Sequence, residues 1–563
     1  MKVSKKIIRK IIHFSIFFGF IFPSLYLISF TVFNYPIVFG DEGYHMSIAR
    51  YIAEKKEIPI YLNEIFGTNL SFSSFTYNPF FHFLFGFFYL IGKEFACKLL
   101  LVFIFFLCSF SLFVLTYKIL NFEAALISSL IFSNLQAVIL YSTTFYTDML
   151  MILFFIPSFF FFLLGIKEEN KRYIIYSAIF SLLAVFTKYY ALIFSFSLFL
   201  LSIYFLIKNE RKKFFFSFIV FLSSFYLVFI WIIRNITLFN SPCTPIGITV
   251  IENYLSSIFK DQKCYVSLYN STYSFSGRTE KIGSEENVIN FGILNFLRFF
   301  LWGNEKLDFL FVPLFLFGFL ILTFYLKDEL IPFFLLSIFI VLLIQTIQGN
   351  LLTTGFFYRA EDTARIFLTF TPIFSFVSSA PFFFLSSLGE KLKNYMMYVF
   401  IFSSIIILIL LLFFSTKEKI KIMQSVKSFS SYFFDACNWV KNNLPKNSTL
   451  MSLWGYRVAY NCERKVGGNE DLRLSENASF IKEVAKKLGV QYFFIEKFSI
   501  DPLNRKFSEM YDLNWVKIIN ENFEKVFENG DEIDRCISNL EKIAQYGIGR
   551  SNCDGVVIYK IYE

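Results

Sequence analysis

Long apolar runs separated by short charged segments make up most of the first 415 residues of the chain. A helix needs about 20 apolar residues to span a bilayer, because each residue advances it by ~1.5 Å. By this criterion the pattern predicts about eleven transmembrane helices. Their expected positions are residues 11–33, 96–117, 122–140, 147–166, 173–187, 190–207, 214–234, 307–326, 330–348, 364–387 and 394–414. This part of the chain is therefore predicted to be a mainly α-helical, polytopic membrane protein.

Basic residues gather at the ends of these runs, near residues 2–10, 118, 167–172, 208–213, 327 and 391–393. Cytoplasmic loops carry such an excess of lysine and arginine. The clusters fall on one side only if the stretch from Asn78 to Ile91 does not cross the membrane. We therefore predict that this stretch is interfacial or re-entrant and that the N-terminus is cytoplasmic in a multi-pass cell-membrane protein. The run from Ile11 to Phe33 is longer than a signal-peptide core, so we expect a retained helix.

The predicted outer face receives loops 34–95, 235–306 and 349–363 and everything after residue 415. The last piece has ordinary composition, and ~150 residues are enough for one compact domain. Helical apolar spacing occurs at 479–488, whereas 490–495 and 555–559 are strand-like apolar runs. We expect a transmembrane domain in residues 1–415 and a small extracytoplasmic α/β or α+β domain in residues 416–563.

Composition supports this class, since 56% of the 563 residues are hydrophobic and the mean hydropathy is +0.56. The net charge of +10 reflects the cytoplasmic flanks, and no nucleic-acid motif is present, so nucleic acid is not an expected partner. Six of the eight cysteines lie in predicted outer segments, an even number in an oxidising compartment. Of the 15 combinations we expect neighbours to pair: Cys243 with Cys264, Cys437 with Cys462, and Cys536 with Cys553.

The most informative polar residues are Asp41 and Glu42, which closely follow the first apolar run. Two adjacent carboxylates against a membrane face are costly unless they have a task. They could cap the following helix, Gly43 to Lys56. Alternatively, one of them is a general base that takes the proton of an acceptor hydroxyl. His45 would share a helix face with both, either as a hydrogen-bond partner of a carboxylate or as a ligand of a divalent metal.

Asp148 and Lys188 lie at the outer ends of predicted spans. Asp148, in Tyr146-Thr147-Asp148, is either solvated at its helix end or part of a functional site shared with Asp41. Lys188 would either extend to the membrane surface or attract the phosphate of a lipid-linked substrate. Both residues are therefore candidates for a site at the outer rim of the membrane.

Arg359 and Arg365 lie at the entry of a late predicted span. Guanidinium groups bind phosphate oxygens in a bidentate manner, so both are candidate anion ligands. They could instead pair with the intervening Glu361 and Asp362. The sequence contains no Walker loop, Rossmann fingerprint, zinc-ligand spacing or nucleophile elbow. The expected chemistry uses acids and bases at a membrane face, and the sequence specifies no cofactor.

These motifs resemble those of the GT-C superfamily of integral-membrane glycosyltransferases, in particular relatives of the protein O-mannosyltransferases and of the lipid A aminoarabinose transferase. The resemblance covers about residues 10–415. It rests on Asp41-Glu42 with the following Tyr44-His45 and Ala49, the stretch from Tyr77 to Gly86, Phe95-Ala96-Cys97-Lys98, Thr187-Lys188, and Arg365 leading to Pro372. Family members often have two prolines where this chain has Asn78-Pro79. Tyr146-Thr147-Asp148 is also similar to a motif of the α-glucosyltransferases of dolichol-linked glycan assembly.

The resemblance implies a glycosyltransferase that moves a sugar from a polyprenyl-phosphate donor to a glycan, lipid or protein acceptor at the outer membrane face. Asp41 would be the base, with Glu42 and His45 adjusting its basicity. The expected catalytic residues are Asp41, Glu42, His45 and Asp148, and the expected phosphate ligands are Lys188, Arg359 and Arg365. The alternatives are a transporter or flippase of a lipid-linked or anionic substrate, and a non-enzymatic receptor that uses the C-terminal domain. A transporter would place charges along the middle of several spans, whereas here they lie at outer ends.

Overall fold

A computed structural model describes residues 5–38, 41–66, 78–188, 191–239, 311–324, 360–392, 430–453, 455–467, 477–501, 511–546 and 553–562. Up to residue 392 the described elements are helices. They are α1 (Lys5–Asn34), α2 (Glu42–Lys55), a 3₁₀ helix (Leu62–Glu64), α3 (Phe80–Ile119), α4 (Phe122–Asn134), α5 (Gln136–Ser142), α6 (Thr147–Lys167), α7 (Lys171–Thr187), α8 (Leu192–Ile207), α9 (Arg211–Phe239), α10 (Phe311–Phe324) and α11 (Ala360–Leu392). The prediction of a mainly α-helical, polytopic membrane protein is confirmed.

Within the described ranges, 5 helices are long and apolar enough to cross a membrane, namely α1, α3, α6, α9 and α11. The helices α4, α8 and α10 are shorter and also apolar. Each span predicted inside these ranges overlaps a helix, but residues 122–140 form two, because Leu135 is extended between α4 and α5 (φ −64°, ψ 135°). Spans 330–348 and 394–414 lie outside the described residues. The total of about eleven spans therefore stays a prediction.

The helix α3 is too long for one membrane span, because 40 residues extend for ~60 Å and the apolar core of a bilayer is ~30 Å thick. It breaks where Gly92 and Lys93 leave helical geometry, with a φ of 50° at Lys93. The break separates Phe80 to Ile91 from the rest of α3. Residues 78–91, predicted as an interfacial or re-entrant segment, and residues 96–117, predicted as a span, thus lie in separate helical segments. The interfacial or re-entrant position of residues 78–91 stays a prediction.

The helix α6 lies at the centre of the helical part, where it packs against α3, α7 and α11. Most of its side chains are buried on every face, as is typical of a helix enclosed by other helices. The more peripheral α1 packs on α3 and α4 and exposes Phe18, Phe22, Tyr26 and Phe30 at a spacing of four residues. We expect such exposed apolar stripes to contact lipid.

The C-terminal part is built around a mixed sheet. Its elements are α12 (Ser431–Asn443), β1 (Thr449–Met451), α13 (Gly455–Cys462), β2 (Lys465–Gly467), α14 (Ala478–Leu488), β3 (Tyr492–Glu496), β4 (Ile500–Asp501), β5 (Tyr511–Asp512), α15 (Leu513–Asn522), β6 (Glu524–Glu528), α16 (Ile533–Tyr546) and β7 (Val556–Lys560). The order of the 5-stranded sheet is β2-β1-β3-β7-β6. The pairs of β1 with β2 and β3 are parallel, and those of β7 with β3 and β6 are antiparallel. The expected α/β or α+β fold of this part is confirmed, whereas the domain boundary near residue 416 and the extracytoplasmic location stay predictions.

Local sequence explains the elements predicted in this domain. The Asn477 side chain accepts hydrogen bonds from the backbone N–H groups of Ser479 and Phe480 and so caps α14. Gly489 follows α14 in the left-handed region, with a φ of 68°. The two apolar runs become β3 and β7, which pair with each other in antiparallel register. Short-range signals therefore predict this helix and both strands.

Two disulfides join cysteines that were expected to pair, Cys437 with Cys462 and Cys536 with Cys553. Cys243 and Cys264 lie outside the described residues, so their pairing stays a prediction. Cys97 and Cys108 are buried free thiols in α3. The first disulfide connects α12 to the end of α13, and this connection bears on the candidate site below.

The C-terminal domain packs directly on the first predicted outer loop, because α13 lies against α2. Their shared apolar core includes Tyr44 and Ile48 from α2 together with Phe433 and Val458 from the C-terminal domain, all of them buried. The soluble-type domain and the helical part therefore meet next to Asp41.

Candidate active site

Asp41 stands immediately before α2, but its side chain makes no capping hydrogen bond to that helix. Its backbone N–H donates to the Tyr146 hydroxyl at 3.0 Å, and its carbonyl accepts from the His45 backbone N–H at 3.1 Å. The residue is partly exposed, whereas the next eight residues of α2 are buried. Helix capping by the carboxylate therefore does not explain Asp41, and its role as a base stays a prediction.

Glu42 has no solvent-exposed surface. Its Oε1 atom accepts a hydrogen bond from the backbone N–H of Phe145 at 3.0 Å, across 103 residues of sequence. A buried carboxylate is costly unless it is hydrogen-bonded, so this contact is a structural requirement of the site. Glu42 thus ties the start of α2 to the loop between α5 and α6, in the manner of a positioning residue.

Removing the Glu42 carboxylate should destabilise this junction. In Glu42→Ala the buried Phe145 N–H loses its acceptor, at an expected cost of about 1–3 kcal/mol. Glu42→Gln keeps an acceptor oxygen, so its midpoint of thermal unfolding in detergent should fall less than that of Glu42→Ala. Equal midpoints for both variants and the wild type would contradict the assignment.

Asp148 lies in the first turn of α6, where the helix dipole favours an acidic side chain. Its Oδ1 atom is 2.6 Å from the Lys188 ammonium, and the exposed side-chain fractions are 0% for Asp148 and 11% for Lys188. Neither a solvated Asp148 nor a Lys188 extended to the surface agrees with this geometry. Among the residues described, Asp148 Oδ2 has no hydrogen-bond partner, so the pair retains an acceptor.

His45 contacts a second histidine that sequence analysis did not single out. Its Nδ1 atom is 3.0 Å from His82 Nε2, and both rings are buried. One ring must donate and the other accept, which fixes their relative tautomers. Two features of the sequence could have indicated His82: it is one of only 3 histidines in the chain, and it lies in the stretch from Tyr77 to Gly86 that carries the family resemblance.

The described residues do not form a metal site, since no group of three or more His, Cys, Asp or Glu side chains among them is arranged to hold an ion. An ion such as magnesium is usually held by one or two carboxylates together with waters and substrate phosphates, an arrangement that does not require such a group. A divalent metal at this position therefore stays a prediction.

Arg359 lies outside the described residues, and Arg365 is described only as part of the backbone of α11. That helix packs against α4, α5 and α6, next to the loop that carries Tyr146. The fold thus packs α11, which contains Arg365, against α6, whose first turn contains Asp148. The roles of both arginines as phosphate ligands stay predictions.

Comparisons with known proteins agree with this architecture. The family model described as dolichyl-phosphate-mannose-protein mannosyltransferase matches residues 78–237. No curated protein sequence matches the chain.

Solved structures extend the likeness to nearly the whole chain. The apo oligosaccharyltransferase of Archaeoglobus fulgidus has a TM-score of 0.65 and 12% identity, over 97% of this chain and 88% of that chain. The AglB enzyme from the same organism, with an inhibitory peptide and a dolichol-phosphate, has a TM-score of 0.59 and 12% identity over 98% and 88%. ArnT from Cupriavidus metallidurans bound to undecaprenyl phosphate has a TM-score of 0.54 and 10% identity over 96% and 97%. The resemblance noted in the sequence is confirmed at the level of the fold, since the chain is a membrane protein that shares the GT-C architecture of these structures.

Proposed function

We propose that this protein transfers a sugar from a polyprenyl-phosphate donor to a hydroxyl of a glycan, lipid or protein acceptor at the outer membrane face. Two similar structures support the donor class, since one holds a dolichol-phosphate and the other undecaprenyl phosphate. The catalytic site lies in residues 1–415, and residues 416–563 form a domain on the outer side. Two disulfides in that domain support an oxidising compartment.

The observation that carries the proposal is the assembly around Asp41. The Tyr146 hydroxyl accepts a hydrogen bond from the Asp41 backbone N–H. Tyr146 immediately precedes α6, and Asp148 in the first turn of α6 pairs with Lys188. A carboxylate and a cation from three distant segments of the chain thus belong to one connected structure. General-base chemistry and phosphate binding both need such preorganised groups.

In the proposed reaction Asp41 takes the proton of the acceptor hydroxyl, while the oxygen of that hydroxyl attacks the anomeric carbon of the sugar. The bond between that carbon and the phosphate oxygen breaks, and polyprenyl phosphate leaves with the electron pair. Lys188, Arg365 and Arg359 stabilise the charge that develops on this leaving group. A single displacement inverts the configuration at the anomeric carbon.

The decisive experiment uses purified full-length protein in lipid nanodiscs with defined polyprenyl-phosphate-linked sugars and candidate acceptors. Parallel arms contain EDTA, magnesium, manganese or zinc. The expected result is release of free polyprenyl phosphate together with transfer or hydrolysis of the sugar. A donor that binds, is not cleaved in any arm, and crosses the bilayer in proteoliposomes would instead establish a transporter.

A further inference from the structure

The helix α13 of the C-terminal domain approaches α2 too closely for a side chain to fit between them. A Cβ atom placed on Gly43 would lie 2.4 Å from the backbone oxygen of Tyr456. Since real Cβ contacts do not come so close, only glycine permits this approach. The ring of Tyr456 also packs edge-on against Tyr44, with centroids 5.1 Å apart. The start of α13 thus holds the chain two residues after Asp41.

The other end of α13 holds the chain before Asp41. The side-chain amide of Asn461 donates to the backbone oxygen of Ile37 at 2.9 Å. Ile37 is almost fully buried, so its carbonyl depends on protein partners. Two residues of one short helix therefore fix the backbone on both sides of the candidate base.

A second set of contacts fastens α13 to α2 and α3. Arg50 lies over the ring of Tyr460 and donates from Nη1 to its backbone oxygen at 3.3 Å. The Tyr460 hydroxyl donates to Glu94 at 3.0 Å, and burial raises the pKa of Tyr460 well above its ordinary value, so that the donor proton is retained. These contacts orient α13 relative to the helical part.

Within its own domain α13 is anchored twice. The disulfide between Cys437 and Cys462 joins its last residue to α12. Arg457 forms a buried bidentate ion pair with Glu496 of β3, and burial raises the pKa of the Glu496 carboxyl although Arg457 opposes the shift. The sheet, the disulfide and α13 are therefore directly connected to one another.

We propose that α13 is a positioning element of the catalytic site, in which Tyr456 and Asn461 set the place of Asp41 and the Cys437–Cys462 disulfide keeps α13 in register. The role of Asp41 as the base is taken from the proposed function. The groups of α13 do not touch the reacting atoms in this arrangement, so their loss affects the chemical step more than donor binding. The C-terminal domain is then an integral part of the enzyme's active site.

The first test compares two asparagines that each donate a side-chain amide to a backbone carbonyl. Asn461→Ala should lower kcat about tenfold, as expected for the lost hydrogen bond to Ile37, with an unchanged KM for the donor. The second hydrogen bond of Asn461, to the Arg457 carbonyl within α13, is of the same kind as the one that the control removes. Asn443→Ala is the control, because Asn443 donates only within α12, to Trp439. Equal kcat values for the two variants would overturn the proposal.

A second test approaches the same contact from α2. Gly43→Ala should lower kcat because the new methyl group displaces the Tyr456 backbone, whereas Gly19→Ala, with nothing within 4 Å of the added atom, should not. The hydrogen-exchange rate of the α2 backbone amides should rise in Gly43→Ala and Asn461→Ala but not in the controls Gly19→Ala and Asn443→Ala. Unchanged exchange with full activity in both would refute the role of α13.

The third test removes each disulfide in turn. Cys437→Ser with Cys462→Ser should lower kcat at a temperature well below unfolding, whereas Cys536→Ser with Cys553→Ser should lower stability alone. Similar losses of kcat would mean that general destabilisation is responsible. Asp41→Asn distinguishes a failure of the proposed function from a failure of this inference. If Asp41→Asn stays active, the proposed role of Asp41 as the base is wrong. If Asp41→Asn is inactive but the α13 variants are fully active, only the positioning role of α13 is contradicted.

Discussion

Asp41→Asn is expected to lower kcat for sugar transfer by about 10²–10⁴-fold, the usual contribution of a general base. Asparagine has nearly the same shape and leaves the backbone contacts of residue 41 intact, including the N–H donated to Tyr146. It cannot accept a proton from the acceptor hydroxyl. The affinity for the polyprenyl-phosphate donor should remain within about twofold, because the base acts on the acceptor.

The measurement is single-turnover release of polyprenyl phosphate, with donor affinity determined separately by equilibrium binding. Glu54→Gln is the matched control, since Glu54 is an exposed carboxylate near the end of α2, the helix that Asp41 precedes. It should retain full turnover. Normal turnover by Asp41→Asn would exclude Asp41 as the base and direct attention to Asp148, the other carboxylate of the assembly.

Much of the fold could be predicted because its signals are local. The apolar runs determine where helices form, Asn477 and Gly489 delimit α14, and the two apolar runs of the C-terminal domain become paired strands. Leu135 shows the limit of this approach. No glycine or proline marks the break between α4 and α5, so apolar spacing alone predicts one continuous helix there.

The site was less predictable because its contacts join distant segments. The contact of His45 with His82 spans 37 residues, and that of Asn461 with Ile37 spans 424. Periodicity reports which face a residue occupies and says nothing about its tertiary partner. The sequence could identify Asp148 and Lys188 as unusual charges near a membrane, but only the packed helices reveal that they form a pair.

That pair leads to the second large expected effect. Lys188→Met would leave a fully buried carboxylate without its cation, and Asp148→Asn would remove the charge of the carboxylate that lies 2.6 Å from the Lys188 ammonium. Removing one partner of a buried pair costs about 3–5 kcal/mol, because the remaining charge is uncompensated. Each single variant should therefore show a large loss of unfolding free energy in detergent.

The double variant Asp148→Asn with Lys188→Gln separates the two roles proposed for Lys188. It buries no net charge and can keep a hydrogen bond, so its stability should return to within about 1 kcal/mol of the wild type. Lys212→Met is the control, because both partners of the Lys212–Glu169 pair are 52% exposed and such surface pairs contribute about 0–1 kcal/mol.

If Lys188 also binds the donor phosphate, the stable double variant should still bind the donor at least about tenfold more weakly, because a hydrogen bond to a charged group is lost. Equilibrium binding of the polyprenyl-phosphate donor measures this effect directly. A double variant that is stable and binds the donor normally would restrict Lys188 to holding Asp148. The phosphate would then depend on other cations, with Arg365 as the first candidate, since the backbone of α11 passes beside α6.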